Sequence, residues 1–452
     1  MEGKKTYKAH VMVLAYHGQG HINPMVQFSK RLASKGMKVT VSAMLSTTKA
    51  MKSASSAVIF ESIYDDTTEG GVAAQGGFKA FLERFEASGS QNLTELIKKQ
   101  EISEYPVKCL VYDANLPWAL AIAKDFAIPG AAFFTQSCAA IASYYPMHYE
   151  ILEKPLPLPA FSMPGLPPPK IPNLMSLGAV TGKHSPIIKQ ICKQFDDIEN
   201  AEWILFNSFD KLEEEVVKWM SNLWTVRNIG PTVPSVYLDN RVENDYDYGF
   251  NMYKPSTEAC MQWLNTRETG SVIYVSFGSA ASLNADQMAE MGEALKQSTK
   301  SFLWVVKPTE QSKLPANFVE ETSEKGLVIT WCPQLEVLAH KAVGCFVSHC
   351  GWNSTVEAIS FGVPVVAMPQ FLDQMTNAYL VERVWGVGIQ PKENEQNKTT
   401  AEEIGRCINE VMNGEEIRKK AIQWKSLAKE AIDENGSSDI HIDEIISRIV
   451  AL

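Results

Sequence analysis

Residues 331–374 read WCPQLEVLAHKAVGCFVSHCGWNSTVEAISFGVPVVAMPQFLDQ, and this stretch predicts the fold. The apolar run GCFVS at 344–348 is typical of a buried strand. After it, the spacing of Ser354 and Glu357 matches a capping box, which predicts a helix start there. A second apolar run, Val363 to Met368, follows a glycine. Strand, glycine turn, helix and strand form a βαβ unit, and its helix start offers N–H groups and partial positive charge to a phosphate.

The same stretch resembles, from end to end, the signature box of plant family-1 UDP-sugar glycosyltransferases. It has W-x-P-Q from Trp331, HCGWNS at 349–354, Glu357 and a terminal Asp373-Gln374 pair. A long motif with fixed internal spacing is far more specific than a lone glycine pattern. The resemblance covers essentially the whole chain and implies an α/β fold of the GT-B type, in which two Rossmann-like domains with parallel sheets face a cleft.

The resemblance also implies which residues bind the UDP-sugar. Trp331 would stack on the uracil ring, Gln334 would help to hold the nucleoside, and Glu357 would hydrogen-bond the ribose hydroxyls. A flat aromatic ring suits a flat base, and a carboxylate suits a diol. The simpler interpretation of each residue alone, a core aromatic or a helix cap, is overturned by the joint spacing. The implied UDP-sugar residues are Ser279, Trp331, Gln334, His349, Trp352, Asn353, Ser354, Glu357, Asp373 and Gln374.

Within that set, the resemblance assigns the diphosphate to the N–H-rich helix start at Asn353-Ser354, with His349 and Ser279 beside it. Asp373 and Gln374 would grip the sugar hydroxyls. Trp352 would lie next to the sugar. A terminal Gln accompanies glucose in this family, so UDP-glucose is the expected donor. The alternative is that Gln374 merely begins a helix that Asp373 caps.

Length and composition predict two domains, because 452 residues exceed one ordinary domain. The predicted acceptor-binding domain spans 1–230, and a Pro-, Asn- and Asp-rich linker spans 231–256. The UDP-sugar domain spans 257–435. The helix at 436–452 would, by resemblance, pack back on the first domain.

The net charge of −10 disfavours nucleic acid and anionic membranes as partners. No run approaches about 20 apolar residues and no signal peptide is recognisable, so a cytoplasmic location is expected. The eight cysteines are scattered without a C-x-x-C motif and are expected to be free thiols. We expect a monomer that needs no cofactor and no metal.

The first strand and helix contain a candidate catalytic base. Gly18-x-Gly20 lacks the third glycine of a dinucleotide fingerprint, since Asn23 stands there, which disfavours a nicotinamide oxidoreductase. Asn23 and Pro24 predict a helix with Asn23 as N-cap and Pro24 as its first residue. His21 would precede this helix start, where the helix dipole disfavours its cationic form and suits it to act as a base. The family pattern G-H-x-N-P, present at 20–24, also places the catalytic base on His21.

Asp113 follows the buried strand 107–112 and is expected at the same sheet edge as His21. In the resembling family this aspartate orients the histidine and stabilises its protonated form, as in a Ser-His-Asp triad without the serine. The alternative is that Asp113 caps the helix predicted from Pro117. His17 stands where many family members have Pro, and no role is assigned to it.

The linker contains Asp245-Tyr246-Asp247, which superficially matches the D-x-D metal motif of the other major glycosyltransferase fold. It follows no predicted strand, so we interpret it as part of a solvated polar loop and predict no metal site.

The expected reaction is an inverting transfer of glucose from UDP-glucose to a hydroxyl or carboxylate of a small hydrophobic acceptor. Steroids, triterpenoids, flavonoids and other phenolics are the acceptor classes that the resemblance suggests. Candidate acceptor-binding residues are Phe81, Tyr144 and Phe371, although aromatic residues in such segments are often core. The alternative function is a UDP-sugar or small-hydrophobe binding protein without turnover.

Overall fold

The computed structural model describes residues 6–51, 57–64, 77–156 and 186–452. These residues form two compact units. The described part of the first unit lies before residue 157, at 186–250 and at 430–452, and the second unit comprises 251–429. A Gly-rich acidic loop predicted at 65–77 and a Pro-rich loop predicted at 155–172 lie almost wholly outside the described residues.

The first unit contains a seven-stranded parallel sheet in the spatial order β3-β2-β1-β4-β5-β6-β7. Its strands are β1 His10–Leu14, β2 Lys38–Met44, β3 Ile59–Tyr64, β4 Val107–Asp113, β5 Gly130–Phe134, β6 Trp203–Phe206 and β7 Val226–Asn228. Its helices up to that strand are α1 Gln19–Ser34, α2 Leu45–Met51, α3 Gly77–Glu101, α4 Trp118–Asp125, α5 Cys138–Ile151, α6 Pro186–Lys193 and α7 Glu214–Met220. Apolar strands such as β1, whose five residues are all buried, are what a sheet covered on both faces requires.

The second unit contains a six-stranded parallel sheet in the order β10-β9-β8-β11-β12-β13. Its strands are β8 Val272–Ser276, β9 Ser301–Val305, β10 Gly326–Ile329, β11 Val343–Ser348, β12 Val365–Ala367 and β13 Gly388–Ile389. Its helices are α8 Thr257–Asn265, α9 Ala285–Gln297, α10 Phe318–Glu321, α11 Gln334–Ala339, α12 Trp352–Phe361, α13 Asp373–Tyr379, α14 Ala401–Asn413 and α15 Glu415–Ile432. Each unit is thus an α/β fold with a parallel sheet, as predicted.

The strand order reverses once in each sheet, between β1 and β4 and between β8 and β11. Ligands of open α/β sheets bind outside the carboxyl ends of the strands at such a reversal. The loops that follow these four strands are therefore the places to look for a site.

Helix α1 begins at Gln19, so the prediction that Asn23 caps it and Pro24 starts it is wrong. The reason is Gly18, whose φ of 111° turns the chain so that its carbonyl accepts the N–H groups of His21 and Ile22, each at 3.0 Å. Pro24 consequently lies inside the helix. His21 is in the first turn of α1 and does not precede it.

Helix α12 begins at Trp352, so the predicted capping box at Ser354 and Glu357 is also wrong. Gly351 is the N-cap, and its carbonyl accepts the N–H of Thr355 at 3.0 Å. Ser354 and Glu357 are both buried inside the helix, where their side chains are available for other partners.

The C-terminal helix α16, Ser437–Ala451, packs against β7 and β4 of the first unit. Ser438 Oγ donates to the carbonyl of Gly230 at 2.6 Å, and Arg227 Nη2 lies 2.7 Å from Glu444 Oε1. Among the described helices, none combines the length and apolar character that a bilayer crossing requires.

Candidate active site

His21 and Asp113 come together at the strand-order reversal of the first unit. Asp113 is the last residue of β4 and His21 lies in the first turn after β1. Nδ1 of His21 is 2.7 Å from Oδ2 of Asp113, whose side chain is 1% exposed. Because the carboxylate accepts this bond, Nδ1 carries the proton and Nε2 has the lone pair of a general base. The structure therefore joins the two predicted catalytic residues.

Asp113 is held by its own loop. Its Oδ1 accepts the backbone N–H of Asn115 at 2.9 Å and the Asn115 amide at 3.0 Å. Helix α4 begins only at Trp118, has Pro117 as its N-cap and has no side-chain cap. The alternative that Asp113 caps this helix is thus wrong, and its carboxylate is aimed at His21.

Thr135 is a neighbour of the histidine that the sequence argument missed. It follows β5, which pairs with β4, and its Oγ1 lies 3.1 Å from Nδ1 of His21. A polar residue directly after a buried strand, at the same sheet edge as Asp113, was the available signal.

Aromatic rings surround the histidines. The Tyr16 ring lies 5.1 Å from that of His21 and 4.1 Å from that of His17, and Phe81 lies 5.0 Å from His17. Burial raises the pKa of Tyr16, with the nearby Asp113 charge adding to the effect, so its phenol stays neutral beside His21. Phe81 therefore lies beside His17, and its side chain is 3% exposed.

The other two candidate acceptor residues are Tyr144 and Phe371. Tyr144 is 3% exposed in α5. Phe371 belongs to the second unit and packs, partly buried, against that unit's core.

In the second unit, Gln334 connects the predicted nucleoside residues. Its Nε2 donates to Oε2 of Glu357 at 2.6 Å and to Oγ of Ser354 at 2.9 Å. Its Oε1 accepts the hydroxyl of Tyr274 at 2.9 Å. Trp331 is 8% exposed and its ring lies 5.2 Å from Tyr253. Gln334, Ser354 and Glu357 thus form one cluster, and Tyr274 is a member of it that was not predicted from the sequence.

His349 lies at the strand-order reversal of the second unit, directly after β11. A Cβ built on Gly278 would be 2.7 Å from its Nε2, and one on Gly351 would be 2.5 Å away, so both positions require glycine beside the ring. Burial lowers the pKa of His349 to about 4, and the Lys307 charge adds to this. His349 is therefore neutral at physiological pH.

Lys307 supports the loop that contains Ser279. Its Nζ donates to the carbonyl of Ser279 at 3.2 Å and to that of Ala281 at 2.5 Å. Ser279 follows β8 and His349 follows β11, and these strands are paired with Ser276 opposite Ser348. The predicted diphosphate residues on the two loops therefore share one sheet edge with the first turn of α12, which contains Asn353 and Ser354.

The predicted sugar residues start helix α13. Gln374 is 4% exposed, and its Oε1 accepts the backbone N–H groups of Gln370 at 2.9 Å and Phe371 at 3.2 Å. Asp373 Oδ2 accepts the Asn377 amide at 2.9 Å. Since the Gln374 carbonyl is engaged, a bond from this side chain to a sugar hydroxyl would come from its NH₂ group. 

Trp352, which was assigned a place next to the sugar, is 3% exposed and lies 6.2 Å from the Trp385 ring.

No group of three or more His, Cys, Asp or Glu in the described residues is arranged to hold a metal ion. The prediction that Asp245 lies in a solvated loop is wrong, because Asp245 is 3% exposed and paired with Lys30 at 2.8 Å. All eight cysteines are free thiols, as predicted, and all are buried.

Known proteins resemble the chain along its whole length. The family model described as "UDP-glucoronosyl and UDP-glucosyl transferase" matches residues 9–432. UDP-glucosyl transferase 74CD1 of Saponaria officinalis is 46% identical over 470 aligned residues, which cover 99% of each chain. Mogroside I-E synthase of Siraitia grosvenorii is 43% identical over 97% of this chain and 98% of its own.

Solved structures agree with these relatives. Os79 from O. sativa in complex with UDP superimposes with a TM-score of 0.85 at 35% identity, covering 97% of this chain and 100% of that one. The same enzyme in complex with U2F and trichothecene gives a TM-score of 0.81 at 34% identity, with the same coverage.

Proposed function

Because the chain belongs to the family of UDP-glucoronosyl and UDP-glucosyl transferases, and so is a UDP-sugar glycosyltransferase, we propose that it transfers glucose from UDP-glucose to a small hydrophobic acceptor. The bond is formed with inversion at the sugar C1, to a hydroxyl or carboxylate oxygen. The observation that carries this proposal is the 2.7 Å contact between His21 Nδ1 and Asp113 Oδ2.

In this mechanism Nε2 of His21 takes the proton of the acceptor hydroxyl as the oxygen attacks C1. The new oxygen–C1 bond forms on the face opposite the bond to the diphosphate, which breaks and releases UDP. Asp113 stabilises the imidazolium that results, as in other His-Asp pairs. Two donors hold Oδ1 of Asp113, and Asp113 in turn holds the His21 ring in one orientation, which favours proton transfer over mere binding.

The leaving group is stabilised without a metal ion in this proposal. UDP gains negative charge as the C1 bond breaks, and the N–H groups at the start of α12 offer partial positive charge to it. His349 lies just before this helix start and is neutral, so it adds no positive charge there.

Glucose as the donor and a small molecule as the acceptor are supported by the relatives. The Saponaria protein is named a UDP-glucosyl transferase, the Siraitia protein is named for a mogroside, and Os79 was solved with a trichothecene. A UDP-sugar binding protein without turnover is the competing hypothesis, and the His21–Asp113 geometry argues against it.

The test is a UDP-release assay with UDP-glucose across steroid, triterpenoid, flavonoid and simple phenolic acceptors. The α-linked donor should give β-glucosides, which NMR of the product distinguishes by the anomeric coupling. Release of UDP that depends on the acceptor supports the proposal, and α-glucosides would refute inversion. Tight UDP binding without release for every acceptor would support the binding-protein hypothesis.

A further inference from the structure

Tyr274 is a buried tyrosine to which neither the proposed mechanism nor the UDP-sugar site assigns a role. It lies on β8, is 0% exposed and stacks on Phe346, with ring centroids 4.7 Å apart. Its hydroxyl donates to Oε1 of Gln334 at 2.9 Å and lies 3.2 Å from the thiol of Cys332. A buried hydroxyl is costly to desolvate in a strand that could have Phe instead, so its polar neighbours matter.

The donor and the acceptor of each hydrogen bond between Cys332, Tyr274 and Gln334 can be assigned. Burial raises the pKa of both the Tyr274 phenol and the Cys332 thiol, so both groups keep their protons. Since the phenol proton goes to Gln334, the thiol is the donor to the Tyr274 oxygen. Gln334 then donates from Nε2 to Glu357. The chain of donors runs from Cys332 through Tyr274 and Gln334 to the Glu357 carboxylate.

The Glu357 carboxylate fixes the orientation of the Gln334 amide, because a carboxylate oxygen can only accept. With its oxygen on Tyr274, its NH₂ group points to Glu357 Oε2 and Ser354 Oγ. In the flipped orientation the amide oxygen would face Oε2 of Glu357 at 2.6 Å, with two acceptors in contact and no proton between them. Bonds to a carboxylate are the stronger kind, and an orphaned buried carbonyl is penalised.

We propose that Tyr274 is a positioning residue for ribose recognition: through the Gln334 amide it holds the Glu357 carboxylate in the orientation that receives the ribose hydroxyls. The inference rests on the proposed UDP-sugar site, in which Glu357 binds the ribose. A carboxylate has about four acceptor positions, and Gln334 takes one of them on Oε2. Because Oε2 of Glu357 is held in place, the plane of the carboxylate is fixed. The two ribose hydroxyls can then donate to it from one direction.

The test compares binding of UDP and 2′,3′-dideoxy-UDP by calorimetry to the wild type and to Tyr274→Phe. The Phe variant keeps the ring stacked on Phe346 and loses only the hydroxyl. The wild type should prefer UDP by about tenfold or more, because the analogue lacks the two hydroxyls that would donate to the Glu357 carboxylate. Tyr274→Phe should reduce that preference by about fivefold, mainly by weakening UDP, and should raise KM for UDP-glucose more than it lowers kcat.

Two further variants separate positioning from packing. Cys332→Ala truncates a buried neighbour of the same hydroxyl but leaves the bond from Tyr274 to Gln334, so it should keep the preference for UDP. In a Glu357→Ala background, Tyr274→Phe should change the preference no further.

Each result bears on the inference. A wild type that does not distinguish the two nucleotides would refute both the ribose role of Glu357 and the role of Tyr274. A wild type that distinguishes them, together with a Tyr274→Phe variant that does so equally well, would refute the inference alone. If Cys332→Ala lost the preference for UDP as much as Tyr274→Phe does, the loss would be a packing effect. That result would also refute the inference.

Discussion

Lys30 and Asp245 form a buried ion pair in the first unit: Nζ lies 2.8 Å from Oδ1, and the two side chains are 7% and 3% exposed. Lys30 also donates to the carbonyl of Asp247 at 2.7 Å. The next residue, Arg31, binds both carboxylate oxygens of Asp239. Helix α1, which contains His21 in its first turn, is therefore tied at its other half to the segment 235–247.

Asp245→Asn should destabilise the first unit by about 3–5 kcal/mol, because it leaves the Lys30 charge buried without its partner. Urea unfolding of the variant and the wild type measures the difference. Asp247→Asn is the matched control, since Lys30 uses the backbone carbonyl of that residue. A variant of Asp245 as stable as the wild type would contradict the structural role.

Transfer activity should survive an excess of chelator, because the described residues of both units offer no metal cluster and Asp245 is occupied by Lys30. The rate of UDP release with and without EDTA measures this. Loss of activity that Mn²⁺ or Mg²⁺ restores would revive Asp245 and Asp247 as metal ligands and would contradict the mechanism proposed above.

His21→Ala should lower kcat by about 10²- to 10⁴-fold, the usual cost of losing a general base. Its affinity for UDP-glucose should change little, since the residues assigned to UDP are in the second unit. Asp113→Asn should lose much of the rate as well, because an amide can present N–H to Nδ1 and favour the wrong tautomer. Asn115→Ala, which removes one of the two donors on Asp113, should have a milder effect. Wild-type turnover in His21→Ala would disprove the assignment.

UDP-glucose should be preferred over UDP-galactose by about tenfold or more in kcat/KM, because an epimer leaves polar groups of the site unpaired. Gln374→Ala should reduce both the rate and this ratio. The side-chain oxygen of Gln374 also holds the backbone at 370–371, so Gln374→Glu is the informative partner variant: it keeps that oxygen and removes the NH₂ donor. If the ratio stays unchanged in both variants, Gln374 has a structural role only.

The stability of the first unit should fall as the pH drops from about 6.5 towards 4, in part through His10. Burial lowers the pKa of His10 to about 4, while in the unfolded chain it is near 6.5. Between these values the unfolded chain binds the proton and the folded protein does not, so acid favours unfolding. The contribution by pH 4.5 is about 2–3 kcal/mol. His10→Gln should show a correspondingly smaller loss of unfolding free energy between pH 7.5 and 4.5, and an equal loss would contradict this origin.

The sequence predicted the strands well and the helix starts poorly. Strands such as β1 and β11 are apolar because they are buried on both faces, and an apolar run is visible without a structure. The predicted caps at Asn23 and Ser354 used local side-chain signals. In the structure the backbone turns at Gly18 and Gly351 start both helices earlier, and the polar residues serve other partners.

In the candidate site, too, some features were predictable from the sequence and others were not. His21 and Asp113 were predictable as neighbours because both follow strands that end at one edge of a parallel sheet. The bond from Tyr274 to Gln334 joins residues 60 positions apart, and no periodicity or spacing reports which buried hydroxyl meets which amide. Likewise the engagement of the Gln374 oxygen by its own loop depends on the backbone geometry at 370–371.

Among the described residues, the first unit is assembled from two parts of the chain, those before 251 and those after 429, with α16 packed on β7. During synthesis the sheet of this unit emerges from the ribosome first, yet the surface that α16 covers stays open until residues 437–451 have also emerged. The second unit can complete its core in the meantime. The unit that contains the proposed catalytic base is thus completed only after the second unit has been translated.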